Sequence, residues 1–125
     1  MGQNTNLSLQ EAGQRLNVKP SVLRYFCNKG FIPSVRRNRR GYRVLNASQL
    51  DLAKILINMK QTGFTSAEIR QYSRLYRQGE STLAERTAIL TTRKRQLWQE
   101  ITDRQKASDC IERQEEQLET KTSAL

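Results

Sequence analysis

The arginines between positions 36 and 43 are the residues whose type and spacing point most directly to chemistry. Five guanidinium groups stand within eight residues in the run Arg36-Arg37-Asn38-Arg39-Arg40-Gly41-Tyr42-Arg43. A guanidinium presents its N–H donors in a planar fork that matches phosphate oxygens, and it stays protonated at neutral pH. The segment is therefore suited to binding a polyanion rather than to catalysis.

The rest of the composition excludes most catalytic and metal-binding chemistry. The 125-residue chain has no His and two widely separated cysteines, Cys27 and Cys110. This rules out histidine general bases, Ser-His or Cys-His nucleophiles and imidazole zinc sites. The carboxylates from Glu112 to Glu119 read as a solvated helix face, so we predict no enzyme, no metal and no cofactor. Cys110 is a candidate thiol sensor, and a structural cysteine is the favoured alternative.

The net charge of +10 is concentrated near the N terminus. Residues 1–45 hold nine basic groups and one acid, residues 46–80 hold five and three, and residues 81–125 hold eight of each. This asymmetry favours a polyanionic partner over a solvated basic face. A membrane is the weaker choice of polyanion, because no basic amphipathic helix accompanies the charge. With no signal peptide and no 18-residue apolar run, we expect a cytoplasmic, nucleoid-associated protein without a membrane partner.

Capping signals mark four helix starts. Three hydroxyl residues stand three positions before a carboxylate, the spacing of a capping box, and one asparagine is a plain N-cap. These are Ser8 with Glu11, Thr65 with Glu68, Thr82 with Glu85, and Asn46. Together with hydrophobic periodicity they predict helices over about 9–16, 20–28, 47–62 and 66–76. The first two are joined by three residues, which is helix-turn-helix spacing, although any small α-hairpin shares it.

The second helix and the segment after it carry the candidate nucleic-acid contacts. Side chains suited to phosphates and base edges in a major groove lie on that helix at Lys19, Ser21, Arg24 and Tyr25. The sequence predicts a basic β-hairpin over residues 33–45, because Asn38 and Gly41 suit a reversing turn. We call this hairpin the wing. A wing grips phosphates or reaches a minor groove, and a disordered basic linker is the alternative. Its candidate contacts are Arg36, Arg37, Arg39, Arg40, Tyr42 and Arg43.

A long last helix is predicted over 82–118, after a linker at 77–81 and before a disordered tail at 119–125. Apolar residues recur every seven positions, and the other seam position of each heptad is mostly polar, with Ile101 the exception. Such a helix cannot fold back on a small domain, so it predicts a coiled-coil dimer, with a lone solvated helix as the alternative. The predicted dimer residues are Leu83, Leu90, Leu97, Trp98, Ile101, Ile111 and Leu118.

Three ordered motifs resemble the MerR family of bacterial transcription regulators. Leu23-Arg24-Tyr25-Phe26 is similar to the family's Leu-Arg-Tyr-Tyr, Gly41-Tyr42-Arg43 matches its wing, and Gly63-Phe64-Thr65-x-x-Glu68-Ile69 matches a third motif. The resemblance covers about residues 7–120. It implies a homodimer joined by an antiparallel coil on a pseudo-palindromic promoter site, with Arg24, Tyr25, Tyr42 and Arg43 on the DNA and Lys60 on a phosphate nearer the dyad.

The resemblance also implies a mode of action, and the sequence departs from the family's pattern at two positions. Family members act on promoters by bending and undertwisting DNA between the −35 and −10 elements, with RNA polymerase as a partner. Here Lys19 stands where the family often has a capping Ser, and Cys27 where it often has Glu.

The expected architecture is a mostly α protein: a winged helix-turn-helix domain at 1–76 followed by the dimerisation helix. We expect the short form, without an appended effector domain. An architectural or segregation-type DNA-binding protein is the alternative function, and it would occupy many dispersed genomic sites instead of a few promoters.

Overall fold

A computed structural model describes residues 6–125, and the chain divides into two units between Arg86 and Thr87. We call residues 6–86 the head and residues 87–125 the distal helix. In chain order the elements are β1 (Leu7–Ser8), α1 (Leu9–Leu16), α2 (Pro20–Asn28), β2 (Arg36–Arg37), β3 (Arg43–Leu45), α3 (Ala47–Gln61), α4 (Ser66–Arg77), a 3₁₀ turn (Gly79–Thr82) and α5 (Leu83–Ser123). The mostly helical fold with a small sheet confirms the predicted fold class.

The first, third and fourth helices begin where the capping signals predict. The Ser8 hydroxyl accepts from the Glu11 amide at 3.1 Å, while the Glu11 carboxylate accepts from the Ser8 amide at 2.9 Å. Thr65 and Glu68 repeat this arrangement at the start of α4. At α3 the plain N-cap expected of Asn46 is also a full capping box, because Gln49 returns the second hydrogen bond.

The turn between α1 and α2 depends on two backbone positions. Asn17 ends α1 in the left-handed conformation, with φ of 58°, which asparagine tolerates better than most residues. Gly13 lies so close to the turn that a Cβ there would stand 2.7 Å from the carbonyl oxygen of Val18. Pro20 then opens α2 at a position where the missing N–H costs nothing. This sequence of features produces the helix-turn-helix.

The wing belongs to a three-stranded antiparallel sheet with strand order β1-β3-β2. Arg36 pairs with Val44 and Arg37 with Arg43, and the reversal at Asn38 and Gly41 is closed by the Gly41 amide donating to the Asn38 carbonyl at 2.9 Å. Gly41 has a φ of +84° there. The wing prediction is confirmed, and the edge strand β1, which pairs Leu7 with Leu45, was not predicted.

The core of the head joins the helix-turn-helix to α3 and α4. Phe26 and Phe31 are fully buried, with ring centroids 5.9 Å apart. The Ser73 hydroxyl of α4 donates to the carbonyl of Phe31. Large side chains that are fully buried include Leu23, Phe26, Phe31, Leu45, Leu56 and Ile69. Helix α2 is thus fixed from its inner face while its outer face stays exposed.

Two predictions at the ends of α5 were wrong. Thr82 does not cap the helix, because its hydroxyl lies against the carbonyls of Leu75 and Gly79 and accepts from Arg86 Nε. Residues 119–123 are helical, not a disordered tail, since α5 runs to Ser123. Nothing in that stretch breaks a helix, and the Thr120 hydroxyl donates to the Glu116 carbonyl one turn earlier.

Candidate nucleic-acid interface

A basic cleft lies where the start of α1, the outer face of α2 and the wing meet. Its volume is about 640 Å³. Four predicted contact residues, Arg24, Arg37, Tyr42 and Arg43, line it together with Ser8, Leu9, Gln10 and Asn28. Three arginines from three elements, α2, β2 and β3, thereby converge on one concave surface. The cleft has the charge and donors to hold backbone phosphates, with Arg24 exposed on the helix for a base edge.

Hydrogen bonds fix two of these arginines before any ligand arrives. Arg43 donates from its guanidinium to the side-chain oxygen of Asn28 at 2.8 Å, which ties the wing to the end of α2. Arg37 donates to the carbonyl of Gly41 at 2.7 Å, across the wing turn. Each guanidinium keeps further N–H donors, so both positions stiffen the cleft and remain able to bind an anion.

A second basic cluster surrounds Tyr25, on the side of α2 that faces α3 and α4. The Lys60 ammonium lies 5.3 Å from the centroid of the Tyr25 ring, and the Lys29 ammonium lies 5.7 Å from it. A hydrogen bond with Ser66 lowers the pKa of Tyr25, and the nearby charges of Lys60, Lys29 and Arg70 lower it further. Ser21, Tyr25 and Lys60 also line a mainly apolar cavity of about 370 Å³.

The other predicted contacts lie outside these two clusters. Arg36, Arg39 and Arg40 are exposed on the wing, where they extend the basic surface beyond the cleft. Lys19 is exposed at the N-cap of α2, and its side chain makes no capping hydrogen bond. That helix start relies on Pro20 instead, as the departure from the family's Ser suggests.

Sequence reasoning missed several residues that build these surfaces. Lys29 is the C-cap residue of α2 and follows Tyr25 by four positions, a spacing that places side chains on one helix face and could have revealed it. Arg70 comes from α4, and its guanidinium donates to the Lys29 carbonyl at 3.3 Å and lies 5.2 Å from the Phe31 ring centroid. No local pattern marks that contact. Asn28 was likewise missed as the anchor of the wing.

The predicted dimer residues form an apolar stripe along α5. Six of the seven side chains are exposed, with 43–64% of their maximal surface accessible to solvent: Leu83, Leu90, Trp98, Ile101, Ile111 and Leu118. Leu97 is half-exposed, and α5 buries no residue within the chain.

The two cysteines differ in environment. Cys27 is half-buried on α2, where burial raises the pKa of its thiol. Cys110 is exposed on α5. Among residues 6–125 no group of three or more His, Cys, Asp and Glu side chains is arranged to hold a metal ion. Within the same described residues, no helix has the length and apolarity that crossing a membrane requires.

Comparisons with known proteins agree with this arrangement. The family model of the MerR HTH family regulatory proteins matches residues 7–75. An uncharacterized HTH-type transcriptional regulator of Synechocystis sp. is 28% identical over 105 residues, covering 84% of this chain and 77% of the relative. One of Haemophilus influenzae is 22% identical over 102 residues, covering 82% and 76%.

Solved structures share the fold. A MerR family regulator of Bacillus thuringiensis has a TM-score of 0.70 at 23% identity, covering 88% of this chain and 96% of its own. A putative MerR family regulator of Listeria monocytogenes gives 0.68 at 29%, covering 85% and 80%. HiNmlR, a MerR family regulator lacking the sensor domain and solved bound to promoter DNA, gives 0.67 at 20%, covering 86% of each. This chain therefore belongs to the MerR HTH family and is a DNA-binding transcriptional regulator.

Proposed function

We propose that the protein acts as a homodimer, joined by an antiparallel coil of its α5 helices, that regulates transcription from a pseudo-palindromic promoter site. The observation that carries this proposal is the exposed apolar stripe on α5, which the chain itself leaves uncovered. An isolated helix with such a stripe gains most of its stability from a partner surface. A second copy of α5 supplies a matching seven-residue repeat.

The charge along α5 supports the antiparallel direction. Residues 87–99 contain three basic side chains, from Arg93 to Arg95, and no acid, whereas residues 107–119 contain five acids and one base. Parallel helices would place like charges side by side in both regions. Antiparallel helices place the basic stretch of each chain beside the acidic stretch of the other, and complementary charges favour that orientation.

Each head then binds one half-site. Arg24, with Ser21 and Tyr25, faces the major groove from α2, and the arginines of the wing hold the flanking backbone. Lys60 adds a phosphate contact from α3. The convergence of Arg24, Arg37 and Arg43 in one cleft supports a division between base reading on the helix and backbone binding around it.

Two heads held at a fixed separation can also deform the DNA between them. We propose that this deformation realigns promoter elements for RNA polymerase, since bending and untwisting are how a rigid protein acts on base pairs that it does not touch. The promoter DNA complex of HiNmlR supports a promoter as the target. Fluorescent labels at both ends of a bound duplex should move closer on binding, and an unchanged end-to-end distance would overturn this step alone.

The dimer proposal is tested by comparing DNA with one and two half-sites. The full chain is used to select duplexes from a random library, and the affinity for the winning site is measured against a duplex that retains one half. We expect much weaker binding to the single half-site and a log–log salt slope of about 0.9 per neutralised phosphate. Equal affinity for one and two halves would reject the dimer, and binding that is insensitive to salt would reject the phosphate contacts.

A further inference from the structure

The joint between α4 and α5 is closed by a buried threonine. Thr82 is 2% exposed, and its hydroxyl lies 2.6 Å from the carbonyl oxygen of Leu75 and 2.9 Å from that of Gly79. Leu75 belongs to the last turn of α4, and its carbonyl also accepts from the backbone amide of Gln78 at 3.0 Å. The last side chain of the 3₁₀ turn therefore adds a second hydrogen bond to a carbonyl group at the end of α4.

Arg86, one turn further along α5, completes the same cluster. Its Nε donates to the Thr82 hydroxyl oxygen at 3.0 Å and its Nη2 donates to the Gly79 carbonyl at 3.0 Å. The guanidinium also lies 5.3 Å from the centroid of the Tyr76 ring. From its place in α5, Arg86 therefore contacts both α4 and the 3₁₀ turn.

These contacts give the joint a defined geometry. A loop held only by its backbone could change direction by small rotations of a few dihedral angles. Here such a rotation would separate Thr82 from Leu75 or Arg86 from Gly79, and it would break a hydrogen bond of the buried Thr82 hydroxyl or of the half-exposed Arg86 guanidinium. The first residues of α5, as far as Arg86, are thus fixed relative to α4.

We propose that Arg86 and Thr82 are positioning residues that make the protein discriminate between DNA sites by the spacing of their half-sites. This rests on the proposed homodimer, in which paired α5 helices connect the two heads. Adding one base pair between half-sites moves one of them by about 3.4 Å and rotates it by about 35°. A dimer with stiff joints cannot follow that change, whereas one with loose joints can.

The test is a selection from duplexes that carry two randomised half-sites at variable spacing. The full-length protein is compared with Arg86→Gln, and Arg113→Gln serves as the matched control. The control substitution removes the same charge from the same helix. Arg113 lies 27 residues after Arg86 along α5, at a heptad position opposite the apolar stripe. Enrichment sequencing reports the half-site motif and the spacing preference separately.

We expect all three proteins to select the same half-site motif. The original protein and Arg113→Gln should prefer one spacing roughly tenfold over spacings that differ by one base pair. For Arg86→Gln that preference should fall to roughly twofold. An unchanged spacing preference in Arg86→Gln would overturn the proposal, and so would loss of the half-site motif, because Arg86 would then stabilise the DNA-reading surface itself.

Two further variants keep the result interpretable. Thr82→Val has nearly the same shape and removes the hydroxyl, so it should broaden the spacing preference as well. Arg86→Lys retains the charge with fewer donors and should restore part of the discrimination. If the unmodified protein selects only single half-sites, the homodimer proposal fails, an outcome distinct from failure of the joint proposal.

Discussion

The head and the distal helix obtain their stability from different sources. Fifteen hydrophobic residues are buried within residues 6–86, whereas α5 buries none. The charges differ as well: residues 6–86 hold fifteen Lys and Arg against five Asp and Glu, and residues 87–125 hold seven of each. One region has a core and a large excess of positive charge, and the other has neither.

This difference separates intramolecular folding from assembly. The head packs against its own side chains, so its unfolding should depend little on protein concentration. The distal helix has only its exposed stripe to bury, so its stability should depend on concentration through mass action. The excess charge of the head is unfavourable in isolation and would become favourable beside phosphates. In the proposed dimer, the zero net charge of the distal helix would avoid net repulsion between the two chains.

The largest effect is expected in the core of the head. Phe26→Ala removes a fully buried ring that contacts Phe31, and it should lower the free energy of unfolding by about 3–5 kcal/mol. Urea denaturation of the full chain, followed by circular dichroism, measures this loss. Tyr42→Ala, at a side chain that is 63% exposed, is the control and should change stability by about 0.5 kcal/mol at most. Similar losses in both variants would show that the core is not where the head is stabilised.

A smaller effect is expected on the stripe of the distal helix. Leu97→Glu places a carboxylate in the proposed seam and should weaken dimerisation by about 100-fold, because a charge replaces buried apolar surface. Sedimentation equilibrium of the full chain measures the dimer dissociation constant. Thr92→Glu introduces the same charge at an exposed position away from the stripe and should leave the constant nearly unchanged. Equal weakening by both would mean that the stripe is not the contact surface.

The sequence predicts the parts of the fold that short-range rules determine. The capping boxes of α1 and α4, the left-handed Asn17 and the wing turn each depend on residues within a few positions of one another, and all are present. The same reliance on local pattern explains one error. Thr82 and Glu85 have capping-box spacing, but the carbonyls of Leu75 and Gly79 compete for the hydroxyl of Thr82, and those partners depend on how the turn folds.

The features that sequence could not supply are long-range. Strand β1 is two residues long and pairs with residues about forty positions later, so it has no periodicity to detect. Arg70 reaches Lys29 across 41 positions, and Arg43 reaches Asn28 across 15. The identities of the basic contact residues could be proposed from composition, but their grouping into a cleft and a tyrosine-centred cluster could not.

Within the head, the cleft and the wing tip should differ in what they contribute to DNA binding. Arg24→Ala should cost about 1–3 kcal/mol on the selected site and much less on random DNA, because in the proposed complex Arg24 reads a base edge. Arg39→Ala, at the exposed tip, should weaken both alike and reduce the salt slope by about 1. Fluorescence anisotropy with both duplexes at several salt concentrations measures this, and equal losses for the two variants would remove the distinction.

The cysteines provide one chemical probe in each region. Cys27 is half-buried with a raised thiol pKa, caused by burial and partly offset by the charge of Arg43, whereas Cys110 is exposed. We expect Cys110 to react with iodoacetamide at least about tenfold faster at pH 8, since the thiolate is the reacting form and needs access. Mass spectrometry of Cys27→Ser and Cys110→Ser gives the two rates. Comparable rates would show that the head opens often enough to expose the thiol of Cys27.

The smallest effect concerns acid stability at the start of α1. Hydrogen bonds from the amide and side chain of Ser8 lower the pKa of Glu11 below its ordinary value near 4.5. A carboxyl group with a lowered folded-state pKa stabilises the fold above its unfolded pKa, and that contribution is lost as pH falls through the lower folded value.

Glu11→Gln keeps a side-chain acceptor, as Gln49 does at the start of α3, but it does not titrate. The variant should therefore lose less thermal stability than the original protein between about pH 5 and pH 3. Glu116→Gln makes the same charge change on the distal helix, at a residue that takes no part in this capping box, and it should leave the dependence of the melting temperature on pH nearly as steep as in the original protein. If the two variants flatten it equally, the effect comes from net charge, and the capping box at Ser8 contributes no specific part of the acid sensitivity of the head.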